Sequence, residues 1–212
     1  MSVTSDRASE RPLRVDAARN HRAIVAAARE ALEQDGPEVP LEEVARRAGV
    51  GASTLYRRFA GRRELVEAVF EEYFTARIEP LFVHAAGVAD PWEALVGVLE
   101  GMVDTVVRQR SLLHATRSTG ALTPDVTART FAPLDDLVAR GRAAGVLRPE
   151  IEARDLPRIV LMAVVTTGPW DGDADPRVWP RYLALLLDGL RPAVGTLPRL
   201  VEPGCPDDPD AT

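Results

Sequence analysis

The chain has no lysine, one cysteine and three histidines among its 212 residues. The single cysteine, Cys205, cannot form an intrachain disulfide, which is compatible with a reducing compartment. The histidines, at positions 21, 84 and 114, are dispersed, so no cluster has the spacing of a metal site. We therefore expect no metal ion and no cofactor.

Long apolar stretches are missing too. The longest nearly apolar run, from Ile159 to Val165, is far short of the ~20 residues that a membrane-spanning helix requires. The first twelve residues, MSVTSDRASERP, are polar and charged and lack the apolar segment of a secretory signal. These two observations predict a cytoplasmic protein without a membrane span. Alternating strand patterns are also absent, which predicts an all-α fold.

Charge is divided unevenly along the chain, whose net charge is −6. Residues 1–63 contain twelve arginines against nine acidic residues, whereas residues 64–212 contain fourteen arginines against twenty-three acidic residues. Six of the first twelve arginines lie between Arg46 and Arg63. This asymmetry indicates an amino-terminal part that faces nucleic acid and an acidic remainder.

The stretch from Leu41 to Arg63 has the pattern of two short helices joined by a tight turn. Apolar residues recur at helical spacing in its first half, at Leu41, Val44, Ala45 and Ala48. Gly49 then provides a residue that accepts a positive φ, and Leu55 and Phe59 form the apolar side of a second helix. The pattern predicts a helix-turn-helix. The opposite side offers hydroxyl and guanidinium donors for phosphates and base edges, at Ser53, Thr54, Tyr56, Arg57 and Arg58.

Helical periodicity and breakers predict the rest of the chain. We expect a flexible arm over residues 1–12, a helix-turn-helix domain over 13–62, a helical domain over 63–192 and a disordered tail over 193–212. The first helix is expected from Asp16 to about Gln34, and a long helix from Arg62 or Arg63 is expected to kink or end near Glu79, before Pro80. Further helices are expected from Pro91, over 111–118, from Pro124 into 141–145, over 155–168 and over 176–190.

The last two of these helices are rich in apolar residues on more than one side. A second copy of the chain, placed across a two-fold axis, would bury the excess apolar surface. We therefore predict a homodimer formed through the helices near 155–168 and 176–190. The alternative is that both helices only cover the core of one chain.

Three short motifs occur in order within residues 16–70. They are Val44-Ala45 followed by Ala48-Gly49-Val50, then Thr54-Leu55-Tyr56 with Phe59, then Arg63-Glu64-Leu65. In these motifs the chain resembles the DNA-binding domain of TetR/AcrR-family bacterial transcriptional regulators. The resemblance implies an amino-terminal three-helix DNA-binding domain and a carboxy-terminal helical domain for ligand binding and dimerisation.

The resemblance also implies roles for individual residues. The start of the recognition helix would lie nearest the base edges, and it comprises Ala52, Ser53 and Thr54. Tyr56 and Arg58 would contact the DNA backbone, Arg57 would touch bases or backbone, and Arg63 would replace a usual lysine that holds a phosphate at a helix amino terminus. Two positions depart from the family pattern: Gly51 replaces a serine cap, and Val39-Pro40 replaces a phosphate-contacting threonine.

The resulting hypothesis is a ligand-responsive repressor that binds a palindromic DNA operator as a homodimer and responds to an unidentified small-molecule effector. No catalytic residue is predicted, and no enzyme activity is expected. The alternative is a helical small-molecule-binding protein or enzyme with a vestigial helix-turn-helix. Candidates for the ligand pocket are polar, aromatic or flexible residues within apolar helices, although each also fits an ordinary core or surface position: Trp92, Met102, His114, Arg117, Phe131 and Thr166.

Overall fold

The computed structural model describes residues 7–168, 175 and 177–198. This part of the chain contains eleven α-helices and no strand, so the all-α prediction is confirmed. The helices are α1 (Arg7–Asp35), α2 (Leu41–Arg47), α3 (Ala52–Arg58), α4 (Arg62–Arg77), α5 (Glu79–Ala86), α6 (Pro91–Arg108), α7 (Arg110–Thr119), α8 (Pro124–Phe131), α9 (Pro133–Ala143), α10 (Asp155–Val165) and α11 (Trp179–Asp188).

The amino-terminal core lies among α1 to α4. Its centre is formed by Ile24 of α1, Leu55 of α3 and Val69 of α4, all without solvent exposure. Two buried residues of α7, Leu112 and Ala115, belong to the same core, because α7 packs against both α1 and α4. A helix from the second half of the sequence therefore completes the first domain's interior.

The carboxy-terminal core is built mainly by α6, with α5, α9, α10 and α11 packed around it. Helix α6 begins at a side-chain cap, since the Asp90 carboxylate accepts the amides of Trp92 and Glu93 at 2.7 and 3.0 Å. Its buried apolar residues recur at helical spacing, so the helix buries a continuous stripe. That stripe consists of Ala94, Leu95, Val98, Leu99, Met102 and Val103.

Several predicted helix ends are confirmed. Helix α4 ends at Arg77 and α5 begins at Glu79, with Pro80 in its first turn, so the break expected near Glu79 is present. Helix α7 ends at Thr119 and is capped by Gly120, whose φ of 64° is the left-handed conformation that glycine adopts at low cost.

Three predicted boundaries are wrong. Helix α1 begins at Arg7 and not at Asp16, because the run from Arg7 to Arg11 consists largely of good helix formers, so residues 7–12 are not an unstructured arm. The helix expected from Pro124 is divided into α8 and α9, since Pro133 has no amide hydrogen and its ring excludes the carbonyl four residues earlier. The last helix begins at Trp179, later than position 176.

The tail predicted over 193–212 lies mostly outside the described residues. Positions 193–198 contain no helix. The disorder of the tail and the domain division at 62/63 stay predictions.

Candidate nucleic-acid interface

The turn between α2 and α3 is set by backbone geometry. Gly49 has a φ of 67°, which an L side chain rarely adopts, and the amide of Val50 returns to the carbonyl of Ala45 at 3.0 Å. Gly51 caps α3 without a side chain: its carbonyl accepts the amides of Thr54 and Leu55 at 2.9 and 3.2 Å. The second helix is thus aimed by the main chain of the turn.

Helix α3 has one buried and one open side. Leu55 is fully buried and Phe59, just after the helix, is 2% exposed, so both anchor α3 to the amino-terminal core. The other side carries the predicted DNA-contacting residues of this helix, which we call the reading face: Ala52, Ser53, Thr54, Tyr56, Arg57 and Arg58. All are exposed except Thr54, which is half-buried. The structure therefore brings these candidates together on one surface.

The six arginines between positions 46 and 63 are not equivalent. Arg46 donates to both carboxylate oxygens of Glu43 at 2.7 Å, and Arg47 donates to the same carboxylate at 2.7 Å and pairs with Asp35. The hydrogen bonds from Arg46 and Arg47 lower the pKa of Glu43 to about 2. These two arginines of α2 are already compensated by a carboxylate within the domain.

Arg62 has a structural role. Its guanidinium donates to the carbonyl of Pro37 at 2.8 Å and to that of Val39, both in the connection between α1 and α2. These carbonyls lie beyond the end of α1 and would otherwise lack a partner in this half-buried position. Arg62 therefore fixes the start of α4 against the α1–α2 connection.

Arg58 is held by a side chain from α1. Its Nε donates to Nδ1 of His21 at 3.3 Å, and the His21 ring stacks on Phe59 with 5.2 Å between centroids. Burial lowers the pKa of His21, the Arg58 guanidinium lowers it further, and Glu72 acts in the opposite direction. The ring can accept this bond only when Nδ1 is unprotonated.

Tyr56 is held by a side chain from α2. Its hydroxyl donates to Oε1 of Glu42 at 2.8 Å, although both residues are exposed. The pKa of Glu42 is lowered by its own backbone amide and by Tyr56, while the hydrogen bond to Glu42 raises the pKa of the Tyr56 phenol. A carboxylate thus lies beside the reading face and in contact with one of its residues.

Arg57 and Arg63 complete the six arginines between positions 46 and 63. Both are exposed, and neither forms a hydrogen bond or ion pair with any residue in the described ranges. Arg63 is the second residue of α4, so its charge lies where the amides of a helix amino terminus also favour an anion. Together with Arg58, these residues give the surface the uncompensated positive charge that a phosphate backbone attracts.

Sequence reasoning missed His21 and Glu42. Glu42 could have been noticed as an acidic residue in the first turn of α2, but its contact with Tyr56 depends on the angle between α2 and α3. His21 is 37 residues from Arg58, so no local pattern connects them.

The predicted pocket residues do not all lie in one place, and the ligand pocket stays a prediction. Met102 is buried in the carboxy-terminal core, Trp92 and Phe131 are half-buried against it, and the Thr166 hydroxyl donates to the Ala163 carbonyl at 2.6 Å. Two of the candidates, His114 and Arg117, are exposed on α7, because that helix buries its opposite side. They therefore do not line an enclosed cavity.

A polar contact that the sequence did not suggest lies between α7 and α10. The guanidinium of Arg110, at the start of α7, donates to Oγ1 of Thr167, just after α10. Thr167 is fully buried, and its hydroxyl also donates to the Val164 carbonyl at 2.6 Å. Among the described residues, no group of three or more side chains is arranged to bind a metal ion, and no helix there has the length and apolarity to cross a bilayer.

Comparison with known proteins relates both halves of the chain to bacterial regulators. Residues 24–69 match the family model described as bacterial regulatory proteins, tetR family, and residues 90–192 match the SbtR-like transcriptional regulator C-terminal domain. No curated protein sequence matches the chain.

Solved structures give the same relation. TetR regulators from Streptomyces coelicolor and Mycobacterium vanbaalenii are each 29% identical to this chain. The first match covers 81% of this chain and 98% of that chain with a TM-score of 0.56, and the second covers 85% and 99% with 0.53. A TetR-family regulator from Pectobacterium atrosepticum, 19% identical, covers 84% and 97% with a TM-score of 0.65 and shows the shared fold.

Proposed function

The chain belongs to the TetR family of bacterial transcriptional regulators and is a DNA-binding regulator, and from this premise we propose that it represses transcription as a ligand-responsive homodimer on a palindromic operator. The observation that carries the proposal is the exposed surface of α3 and the start of α4, where Arg57 and Arg63 have no described partner. Such a surface offers uncompensated cations to the DNA backbone. It would act in the cytoplasm, where bacterial DNA is located.

Within this surface we assign two kinds of contact. Tyr56, Arg58 and Arg63 bind phosphates and set the register of the protein on the duplex. The first turn of α3 faces the base edges and consists of Ala52, Ser53 and Thr54. Because these side chains are short, Arg57 and the shape of the DNA contribute to the choice of sequence.

The proposed homodimer interface is formed by α10 and α11. Both helices leave apolar side chains open to solvent: Met162 and Val165 of α10 are each 49% exposed, and Leu185 of α11 is 62% exposed. Helices α10 and α11 pack on each other, so the exposed apolar side chains are on neighbouring elements. A two-fold axis through this helix pair would cover them and present two reading faces, which operator binding requires about one turn of DNA apart, ~34 Å.

The proposed effector is an apolar small molecule bound among the helices of the carboxy-terminal domain. Helix α7 can transmit a movement of that domain to the DNA-binding surface. It packs against α1 and α4, and its Arg110 donates a hydrogen bond to Thr167, just after α10. An effector can release DNA only to the extent that it binds one arrangement of these helices more tightly than the other.

The test uses the full-length protein and an operator found by genomic footprinting. Fluorescence anisotropy over a range of salt concentrations gives the affinity for operator and unrelated duplex. We expect Arg63→Gln to weaken binding to both and to reduce the salt slope by about one, since one phosphate contact is lost. The matched control, Arg46→Gln, removes an arginine already compensated by Glu43, so we expect little change.

A different result would contradict the proposal. If no palindromic sequence binds better than unrelated DNA at physiological salt, the proposed repression from a palindromic operator fails, and a small-molecule-binding role with a vestigial helix-turn-helix gains support.

A further inference from the structure

Tyr56 of the reading face donates a hydrogen bond to a carboxylate, that of Glu42. The Tyr56 hydroxyl is 2.8 Å from Oε1 of Glu42, and Tyr56 is 48% exposed, so this bond lies at the surface and not in the core. Glu42 is the second residue of α2, and its carboxylate also accepts its own backbone amide. Both interactions lower the pKa of Glu42, so it is ionised at neutral pH.

A phenol has a single proton to donate. While that proton is given to Glu42, the hydroxyl has no hydrogen for a phosphate oxygen. A phosphate that accepts from Tyr56 must therefore replace Glu42 as its partner. It would also approach a carboxylate that lies one hydrogen bond from the same oxygen, and two anions at that separation repel each other.

We propose that Glu42 is an electrostatic gate on the DNA contact of Tyr56. By this we mean that its carboxylate competes for the Tyr56 hydroxyl and repels the phosphate that would bind there. In the free protein it positions the Tyr56 side chain; during DNA binding it must release the hydroxyl and tolerate an adjacent phosphate. The gate lowers affinity for every duplex, because the phosphate contact does not depend on base sequence. This inference rests on the proposed phosphate role of Tyr56.

The surroundings of Glu42 show why its charge is not neutralised locally. The adjacent acidic residue, Glu43, accepts hydrogen bonds from both Arg46 and Arg47. Glu42 itself has no ion pair with a residue in the described ranges, and its recorded side-chain partner is the neutral phenol. The helix α2 therefore presents one compensated and one uncompensated carboxylate.

The experiment separates the charge of Glu42 from its shape. Glu42→Gln keeps an amide oxygen that can accept from Tyr56 but removes the negative charge. We expect affinity for operator and for unrelated duplex to rise by about three- to tenfold, with a steeper salt dependence. Glu30→Gln is the matched control: it makes the same charge change at an exposed position of α1, and Glu30 has no described partner, so we expect no comparable rise.

A double-mutant cycle with Tyr56→Phe completes the test. Removing the hydroxyl should weaken DNA binding more in the Glu42→Gln background than in the wild type, because only the wild-type contact is opposed by the carboxylate. If Tyr56→Phe weakens binding but Glu42→Gln leaves it unchanged or weaker, the gate is overturned and the proposed function stands. If Tyr56→Phe has no effect in either background, the proposed phosphate role of Tyr56 is overturned instead.

Discussion

The two apolar cores of this chain are covered in opposite ways. Around the amino-terminal core, the outward side chains of α2 and α3 are mostly charged or polar, and several are held by partners from other helices. Around the carboxy-terminal core, α10 and α11 leave Met162, Val165 and Leu185 open to solvent. The first surface suits a polyanion, whereas the second suits another apolar surface.

Helix α7 prevents a simple division between the two regions. Leu112 and Ala115 are buried in the amino-terminal core, whereas the neighbouring Leu113 packs against the carboxy-terminal core. Arg129 of α8 adds an ion pair to Glu71 of α4. The two regions therefore share a helix, and a shift of α7 would change the packing of both cores.

We expect the largest effect from a charge on the exposed apolar side of α11, because it makes this surface polar like the amino-terminal one. We expect Leu185→Glu to yield a monomer, because a two-fold interface would bury two unpaired carboxylates. Loss of the second reading face should weaken operator binding by roughly 10²- to 10⁴-fold. Size-exclusion chromatography with light scattering and anisotropy measure the two effects.

The control for that variant is Val83→Glu, which makes the same type of change at an exposed apolar residue of α5, 75% exposed and outside the proposed interface. It should leave mass and affinity unchanged. A wild-type chain that is monomeric at micromolar concentration would contradict the dimer.

An intermediate effect is expected from overpacking α7. Ala115 has no solvent exposure and lies in the amino-terminal core, so Ala115→Leu should lower the free energy of unfolding by about 1–3 kcal/mol in urea titrations. Arg117→Leu, an exposed change on the same helix, should stay within about 0.5 kcal/mol. Equal values for the two variants would show that α7 does not belong to the first core.

The smallest effect concerns His21. Its pKa is lowered in the folded protein, so unfolding takes up protons; the stability from the neutral ring is complete above the ordinary value of 6.5 and is lost as the pH falls through the lowered value. Urea midpoints at pH 7.5 and pH 5.0 should therefore differ more for the wild type than for His21→Gln, whose amide does not titrate. The same pH dependence in both proteins would contradict the lowered pKa of His21 in the folded protein.

Local sequence was sufficient for the helix-turn-helix and for most helix ends, because their signals lie within one or two turns of each other. Gly49 marks the turn, Leu55 and Phe59 share a side at i, i+4, and Asp90 and Gly120 act within their own helices. The residues expected on the reading face are on one surface for the same reason.

Tertiary structure alone decided which arginines of the helix-turn-helix and the start of α4 can contact DNA without first leaving a partner in the protein. Arg62 is engaged by carbonyls 23 and 25 residues away, and Arg58 by a histidine 37 residues away, whereas Arg63 has no described partner. The same holds for α7, whose sequence periodicity shows an apolar side but not which core receives it. Such contacts depend on how helices distant in sequence pack together, and no local pattern encodes that packing.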